Sequence, residues 1–309
     1  MAFTVFIDGA AGTTGLEIRE RLAGRSEFDL LVLDDASRKD EAKRKEALHA
    51  ADIAILCLPD EAARDAVALA SGSDTKIIDA SSAHRVADGW TYGFPELIGT
   101  ERIAEAQFVS NPGCYPTGFL ALIAPLVRDG LLPANYPYSV NAVSGYSGGG
   151  KALIERFEHE PEIAFRTYGL TLDHKHLPEM QKHAQIAHPP IFAPSVVPAH
   201  RGMLVEVPIQ LSSLNKAPSP QAISDHLSEL SKDLGVISVA EFGAPIGEIL
   251  LKEGAQSWDG LELRVAGSAD GSQARLIALL DNLGKGASGA AIQNLNLMCG
   301  LDETAGLRL

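Results

Sequence analysis

Short runs that are apolar throughout alternate with longer stretches whose apolar residues recur at helical spacing over the first hundred residues. Residues 3–8, FTVFID, are the first such run and end in a glycine cluster. GTTGLEIRERLAG follows, with Leu16, Ile18 and Leu22 at roughly helical spacing. FDLLVLDD is the second run. ADIAILCLP (51–59) is the third, followed by the alanine-rich stretch DEAARDAVALAS, and TKIIDAS (75–81) is the fourth. Strands with no polar face are buried on both sides, so this alternation predicts a parallel sheet covered by helices on both faces.

The pattern changes after Cys114. A helix is predicted over roughly 116–129, and DGLLPANYP then leads into YSVNAVSGYSGGG. From there to about residue 283 the strands are longer and alternate polar with apolar: MLVEVPIQL, LELRVAGS and ARLIALLDN. Such strands have one solvated face, which predicts a second domain with a mixed or antiparallel sheet. PSPQAISDHLSELSKDLG predicts an amphipathic helix between them, capped by Ser219 or Ser224. GASGAAIQNLNLMCGL predicts a glycine-flanked apolar helix. There are no repeats or low-complexity tracts, and the one linker-like stretch is Gly145–Gly150. The fold class is α/β, a Rossmann-type parallel-sheet domain plus an α+β domain.

Composition narrows the partners. The 309 residues are 46% hydrophobic and 21% charged, as in soluble globular proteins. The net charge of −14 repels nucleic acid phosphates and excludes that partner class, while a local basic pocket still suits a small anion. The opening MAFTVFIDGAAG has neither a basic n-region nor a small-residue cleavage site, so no secretory signal is expected. No apolar run approaches the ~18 residues of a membrane span. Cys57, Cys114 and Cys299 are too few and too scattered for a disulfide framework or a zinc site, which makes the reducing cytoplasm the expected compartment and a metal unexpected.

IDGAAGTTG sets Gly9, Gly12 and Gly15 directly after a strand and at the opening of a helix. Glycines let the backbone turn sharply and approach a pyrophosphate, and the helix N-terminus offers unsatisfied N–H groups to it. Gly9, Gly12, Thr13, Thr14 and Gly15 are therefore the candidate dinucleotide contacts. An acidic residue about 20 positions on would hold an NAD ribose. Asp34 and Asp35 stand there, but ASRKD follows at once, and Ser37 and Arg38, with Lys39, suit a 2′-phosphate. The reading is NADP(H).

VSNPGCYPTG (109–118) places Cys114 between turn chemistry and an apparent helix start, just before the helix. Unpaired N–H groups there lower a thiol's pKa and also receive an oxyanion on a bound acyl carbon. A cysteine nucleophile beside a dinucleotide points to acyl-phosphate reduction: a thioester accepts hydride and collapses through a thiohemiacetal to an aldehyde. LDHKHLPEMQKHA puts His174 and His176 just before a helix start, at alternate positions that face one side of an extended segment. One of the pair is the expected general acid–base. For the substrate's anionic groups Arg85, after the fourth strand, is the first candidate, with Ser81, Ser82 and Asn111 beside it. Arg201, before a strand of the second domain, is another.

With these residues in view, the chain resembles the N-acetyl-gamma-glutamyl-phosphate reductases, in their shorter branch, within the semialdehyde dehydrogenase superfamily. The stretches that carry the resemblance are GAAGTTG, IIDASSAHR, YGFPEL, SNPGCYPT, SGYSGGGK, HKHLPE and DNLGKGASGAAIQNLNLM. The resemblance implies an NADP-binding domain over 1–113, completed by a C-terminal helix in 285–309. It implies a glyceraldehyde-phosphate-dehydrogenase-like catalytic and dimerisation domain over 114–284. It implies Cys114 as nucleophile, Asn282 near the nicotinamide, and a homo-oligomer, either dimer or tetramer. The reaction implied is reduction of N-acetyl-glutamyl phosphate by NADPH to the semialdehyde and phosphate, in arginine biosynthesis. Where the longer branch carries Pro-His, this chain has Pro194-Ser195, which leaves His200 and Arg201 as substitutes. The alternatives are an aspartate-semialdehyde dehydrogenase and a non-catalytic NADP-binding redox sensor.

Overall fold

The computed structural model describes residues 2–245 and 247–309. The chain divides into two compact units, one formed by residues up to Gly113 with Ala287–Leu307, the other by Cys114–Gly286 with Arg308–Leu309.

The first unit contains β1 (Phe3–Asp8), α1 (Thr13–Leu22), β2 (Phe28–Leu31), α2 (Glu41–Ala50), β3 (Ile53–Leu56), α3 (Asp60–Leu69), β4 (Lys76–Asp79), β5 (Thr91–Tyr92), α4 (Pro95–Ile98), α5 (Thr100–Ala104) and β6 (Phe108–Ser110). The second contains α6 (Cys114–Arg128), β7 (Ser139–Gly145), α7 (Gly150–His159), β8 (Arg166–Thr167), α8 (Leu177–Ala184), β9 (Ile191–Val197), β10 (Met203–Gln210), α9 (Pro220–Ser231), β11 (Ile237–Val239), β12 (Leu261–Gly267) and β13 (Gln273–Leu280). The last helix, α10 (Gly289–Met298), belongs to the first unit.

The first sheet has the order β2-β1-β3-β4-β6-β5 with every pairing parallel. Side chains of a strand alternate between faces, so a strand apolar at every position feeds two cores. Val5, Ile7, Ile55 and Ile78 join one cluster with Ile18 of α1 and Ile292 and Leu295 of α10. Phe6, Leu56 and Ile77 join the opposite cluster with Leu48 of α2 and Ala66 of α3. Each fully buried Ile or Leu contributes about 2 kcal/mol of transfer free energy. The chain's tail is held within this unit by Arg25, whose Nη1 donates to Asn296 Oδ1 and to the Ala305 carbonyl, each at 3.0 Å, with the guanidinium 4.6 Å from the centre of the Phe28 ring.

The second sheet is mixed, in the order β11-β12-β13-β10-β7-β9-β8. The β7–β9 and β11–β12 pairs are parallel and the rest antiparallel. Met203, Val205, Val207 and Ile209 of β10 are buried on the face that α6 covers, while Leu204, Glu206, Pro208 and Gln210 alternate onto a face that remains partly accessible. Ile191 of β9 is exposed, and Arg275 spans the strands to Glu206 through two hydrogen bonds. Ser219 is the cap of α9, accepting the Ala222 N–H at 3.1 Å, and Ser224 is buried in the helix. The stretch read as a linker, Gly145–Gly150, instead ends β7, makes a 3-10 turn and opens α7.

Candidate active site

The glycine turn of the first unit joins β1 to α1. Gly9 has φ +87°, and a Cβ there would lie 2.3 Å from the Cys57 carbonyl oxygen, so the position admits only glycine. Gly12 caps α1 and offers no side-chain acceptor, which leaves the N–H groups of Thr13, Thr14 and Gly15 without intrahelical partners. A turn that a side chain would fill, opening onto unsatisfied N–H groups at the carboxyl edge of a parallel sheet, fits a dinucleotide pyrophosphate.

The loop after β2 is arranged around its own backbone. Asp34 Oδ1 accepts the Ser37 N–H at 2.8 Å, and Ser37 holds the Asp34 carboxyl below its usual range. Arg38 is half exposed and pairs with Asp35 at 2.8 Å. Arg44, in the first turns of α2, reaches back to β1, where its Nε and Nη2 donate to one oxygen of buried Asp8 at 3.0 and 2.8 Å. No local pattern marks this pair, because Arg44 lies in the charged run EAKRK, which reads as solvated.

The four residues assigned to substrate in the first unit are engaged with their own chain. The Ser81 hydroxyl donates to Asp79 at 2.7 Å and the Ser82 hydroxyl to Asp60 at 2.8 Å. Arg85 is buried, with Nε on the Asn111 carbonyl (2.9 Å) and Nη2 on the Ala80 carbonyl (3.0 Å). Asn111 donates to the Ala287 carbonyl at 3.0 Å and accepts from Asn294 at 3.1 Å. His84 supports the same turn: its Nδ1 donates to Asp79 at 2.6 Å and its ring stacks on Trp90 with centroids 4.1 Å apart. Together these groups fix the segment that leads into the cysteine.

In the second unit Cys114 is itself the first residue of α6, and not the residue before it as the sequence suggested; the residue is partly exposed. The correction follows from Pro116, which is tolerated throughout the first turn because N–H groups there have no helical acceptor. Gly286, in the π-helical turn Gly284–Ser288, packs on Cys114 so closely that a Cβ there would lie 2.8 Å from Cys114 Cβ. The Gly286 N–H donates to the Asp281 carbonyl at 3.0 Å.

Tyr115, next to the cysteine, gathers both predicted histidines. Ring centroids lie 6.4 Å apart for Tyr115–His174, 5.9 Å for Tyr115–His176 and 4.7 Å for His174–His176. The His176 backbone N–H donates to His174 Nδ1 at 3.2 Å, which assigns the proton of neutral His174 to Nε2. Burial lowers the His174 pKa, with Lys175 adding to the effect. His176 is buried at the cap of α8, and buried Glu179 stands three residues on, a helical neighbour spacing. The Tyr168 hydroxyl donates to that of Tyr115 at 3.2 Å, and burial pushes the Tyr168 hydroxyl up to about 12.

Arg201 belongs to the same neighbourhood, its Nη1 donating to Asp281 Oδ2 at 2.6 Å. Asn282 is buried, donating to Ser147 Oγ at 2.9 Å and accepting the Gly202 N–H at 2.9 Å. The second unit thus links Cys114, through Gly286 and Asp281, to Arg201, while Tyr115 carries the histidines. Asp281, Tyr115 and Tyr168 escaped the sequence reading; Gly286 lay inside the stretch DNLGKGASGAAIQNLNLM quoted there, with no role assigned to it.

A family model described as the NAD binding domain of semialdehyde dehydrogenase matches residues 4–106, and one described as the semialdehyde dehydrogenase dimerisation domain matches 114–282. The chain belongs to the semialdehyde dehydrogenase family. Among curated relatives, an N-acetyl-gamma-glutamyl-phosphate reductase 2 of Nostoc sp. is 48% identical, covering 98% of each chain. An N-acetyl-gamma-glutamyl-phosphate reductase of Brucella ovis is 51% identical, covering 96% of this chain and 98% of its own. Solved structures share the fold at lower identity. Aspartate semialdehyde dehydrogenase II of Vibrio cholerae is 19% identical with TM-score 0.74, covering 97% of this chain and 99% of its own. The Candida albicans aspartate semialdehyde dehydrogenase with NADP is 14% identical with TM-score 0.67, at the same coverage.

Proposed function

We propose that this enzyme reduces N-acetyl-glutamyl 5-phosphate to N-acetyl-glutamate 5-semialdehyde and phosphate with NADPH, a step of arginine biosynthesis. The observation that carries the reading is a partly exposed cysteine at the head of α6 with two imidazoles packed on the adjacent tyrosine. The relatives at 48–51% identity support this substrate over aspartate semialdehyde, whose enzymes match at 14–19%.

The Cys114 thiolate attacks the acyl carbon. Its S–C bond forms, the carbon–oxygen bond to phosphorus breaks, and phosphate leaves with the bonding pair. The first-turn N–H groups of α6 receive the oxyanion on that carbon. The Gly9–Gly15 turn, with Ser37 and Arg38 on the bordering loop, would hold NADPH, which would supply the hydride that the thioester carbon takes up. His176 protonates the oxygen of the thiohemiacetal and withdraws that proton as the C–S bond breaks, returning the thiolate and releasing the aldehyde. His174, whose ring centroid lies 4.7 Å away and which accepts the His176 backbone N–H, packs against it. Arg201, held by Asp281, takes the substrate carboxylate. Arg85, Ser81, Ser82 and Asn111 hold the approach to Cys114, and Asn282 holds the Ser147 turn.

The partly accessible sheet face bearing Leu204, Pro208 and Ile191 supports a homo-oligomer built on the dimerisation domain. The compartment proposed is the cytoplasm, where the free thiols of Cys57, Cys114 and Cys299 would stay reduced; no helix among the described residues is long and apolar enough to cross a membrane.

The test is NADP reduction on adding N-acetyl-glutamate 5-semialdehyde and phosphate, with aspartate semialdehyde in parallel. Turnover confined to the acetylated substrate is expected. Preference for aspartate semialdehyde would overturn the substrate, and near wild-type turnover by Cys114→Ser would overturn the covalent step. Dinucleotide binding and thiol oxidation without turnover would leave the redox sensor.

A further inference from the structure

We infer that Arg44, anchored on Asp8, selects the 2′-phosphorylated dinucleotide. This rests on the NADPH reading above.

The two cofactors differ only at the adenosine ribose. An unphosphorylated ribose offers a diol, which a carboxylate receives; a 2′-phosphate calls for a guanidinium. Both acidic residues placed to receive a diol are engaged elsewhere: Asp34 holds the Ser37 N–H within its own turn, and exposed Asp35 pairs with Arg38. Two arginines lie near this edge of the sheet. The Arg38 side chain is 47% exposed and tied to a partner that is itself 92% exposed. Ordering it on a phosphate sacrifices much of its rotamer freedom.

Arg44 is different. Its side chain is 14% exposed and comes from the first turns of α2. Two of its five N–H groups converge on a single oxygen of Asp8, at the carboxyl end of β1, immediately before Gly9 of the phosphate turn. Among the described residues no other acceptor takes its remaining N–H groups. The guanidinium is therefore already ordered, already largely out of water and next to the turn that fits the pyrophosphate. Asp8 serves as the anchor that fixes its direction, and Arg44 cancels a buried carboxylate that would otherwise repel phosphate.

The experiment is a fluorescence titration of the apo-protein with NADPH and with NADH, for wild type, Arg44→Gln, the double variant Asp8→Asn/Arg44→Gln, and Arg38→Gln. The double variant removes both charges together, so no buried carboxylate is left unpaired, and a thermal melt by circular dichroism checks its fold. For the double variant we expect the NADPH Kd to rise about 10- to 100-fold, the loss of a charge-assisted hydrogen-bond pair, and the NADH Kd to stay within about 3-fold. A parallel weakening of both dinucleotides would show that Arg44 merely supports the turn and would overturn the inference. So would selective loss of NADPH in Arg38→Gln with none in the double variant. Wild-type protein that bound neither dinucleotide would refute the cofactor reading itself and this inference with it.

Discussion

Gly286→Ala adds one methyl group at the tightest contact of the nucleophile. The new carbon would lie 2.8 Å from Cys114 Cβ and 3.3 Å from its Cα, with the Asp281 carbonyl oxygen at 3.1 Å. Carbon atoms pack comfortably at about 3.5–4.0 Å, so roughly 0.7–1.2 Å of separation must open. The backbone at Gly286 is not in the left-handed region, so the penalty is steric overlap and not conformational strain. Overpacking of this kind costs about 1–3 kcal/mol of stability. The catalytic cost is larger in effect, because a displacement of about 1 Å at a reacting atom lowers the rate about 100-fold, or about 2.7 kcal/mol on the barrier. The expected variant is folded, binds NADPH as wild type does, and loses kcat about 100-fold. Steady-state kinetics, a cofactor titration and a thermal melt measure the three quantities. Wild-type kcat in a folded Gly286→Ala protein would refute the reasoning, since the sulfur would then tolerate a displacement that attack geometry forbids.

Alkylation should separate the thiols. Burial pushes Cys57 and Cys299 up to about 12, so at pH 8 roughly one in ten thousand of each is thiolate, and iodoacetamide followed by mass spectrometry should label Cys114 first. Equal labelling of Cys299 would contradict this. Arg25→Ala removes the hydrogen bonds to Asn296 and Ala305, and urea unfolding should show a loss of about 2–3 kcal/mol. Because burial lowers the His174 pKa, the unfolded chain takes up this proton first as pH falls. Stability is therefore full above about 6.5, the ordinary histidine value, and declines below it. Urea unfolding at pH 7.5 and 5.5 should show a smaller decline for His174→Asn, and an unchanged decline would remove His174 as the cause. Gly9→Ala forces a Cβ onto the Cys57 carbonyl at a left-handed φ, so NADPH affinity should fall at least 10-fold; unaltered affinity would dismiss the turn as the phosphate site.

Four strands of the parallel sheet were legible as short apolar runs, whereas β5 and β6, of two and three residues, are too short to form such a run and were not read. FTVFID became β1 over all six residues, while FDLLVLDD yielded only Phe28–Leu31, as Asp34 closes a turn on Ser37. The helix α2 was not legible. Its sequence, EAKRKEALHA, buries only Ala47 and Leu48, too narrow an apolar stripe to announce itself, although Asp40 caps it through the Lys43 N–H. The candidate site divides along the same line. Cys114, the histidine pair and the glycine turn each sit in a local motif whose neighbours in sequence state the chemistry. Asp8–Arg44, Arg201–Asp281 and Gly286 on Cys114 join positions tens to more than a hundred residues apart. Only the chain topology makes them neighbours, and no local pattern encodes that.

The dinucleotide unit draws its final helix from the far end of the polypeptide. Ile7, Ile55 and Ile78 leave the ribosome about 210 to 290 residues ahead of Ile292 and Leu295, which share their cluster. At typical translation speeds that interval lasts roughly 10–60 s, during which one side of the nascent sheet stays greasy and open to chaperones or to its neighbours on the polysome. A messenger truncated before the last helix would thus release a product lacking the cover of its own sheet. Transplanting that helix to the amino terminus by circular permutation would close the sheet early.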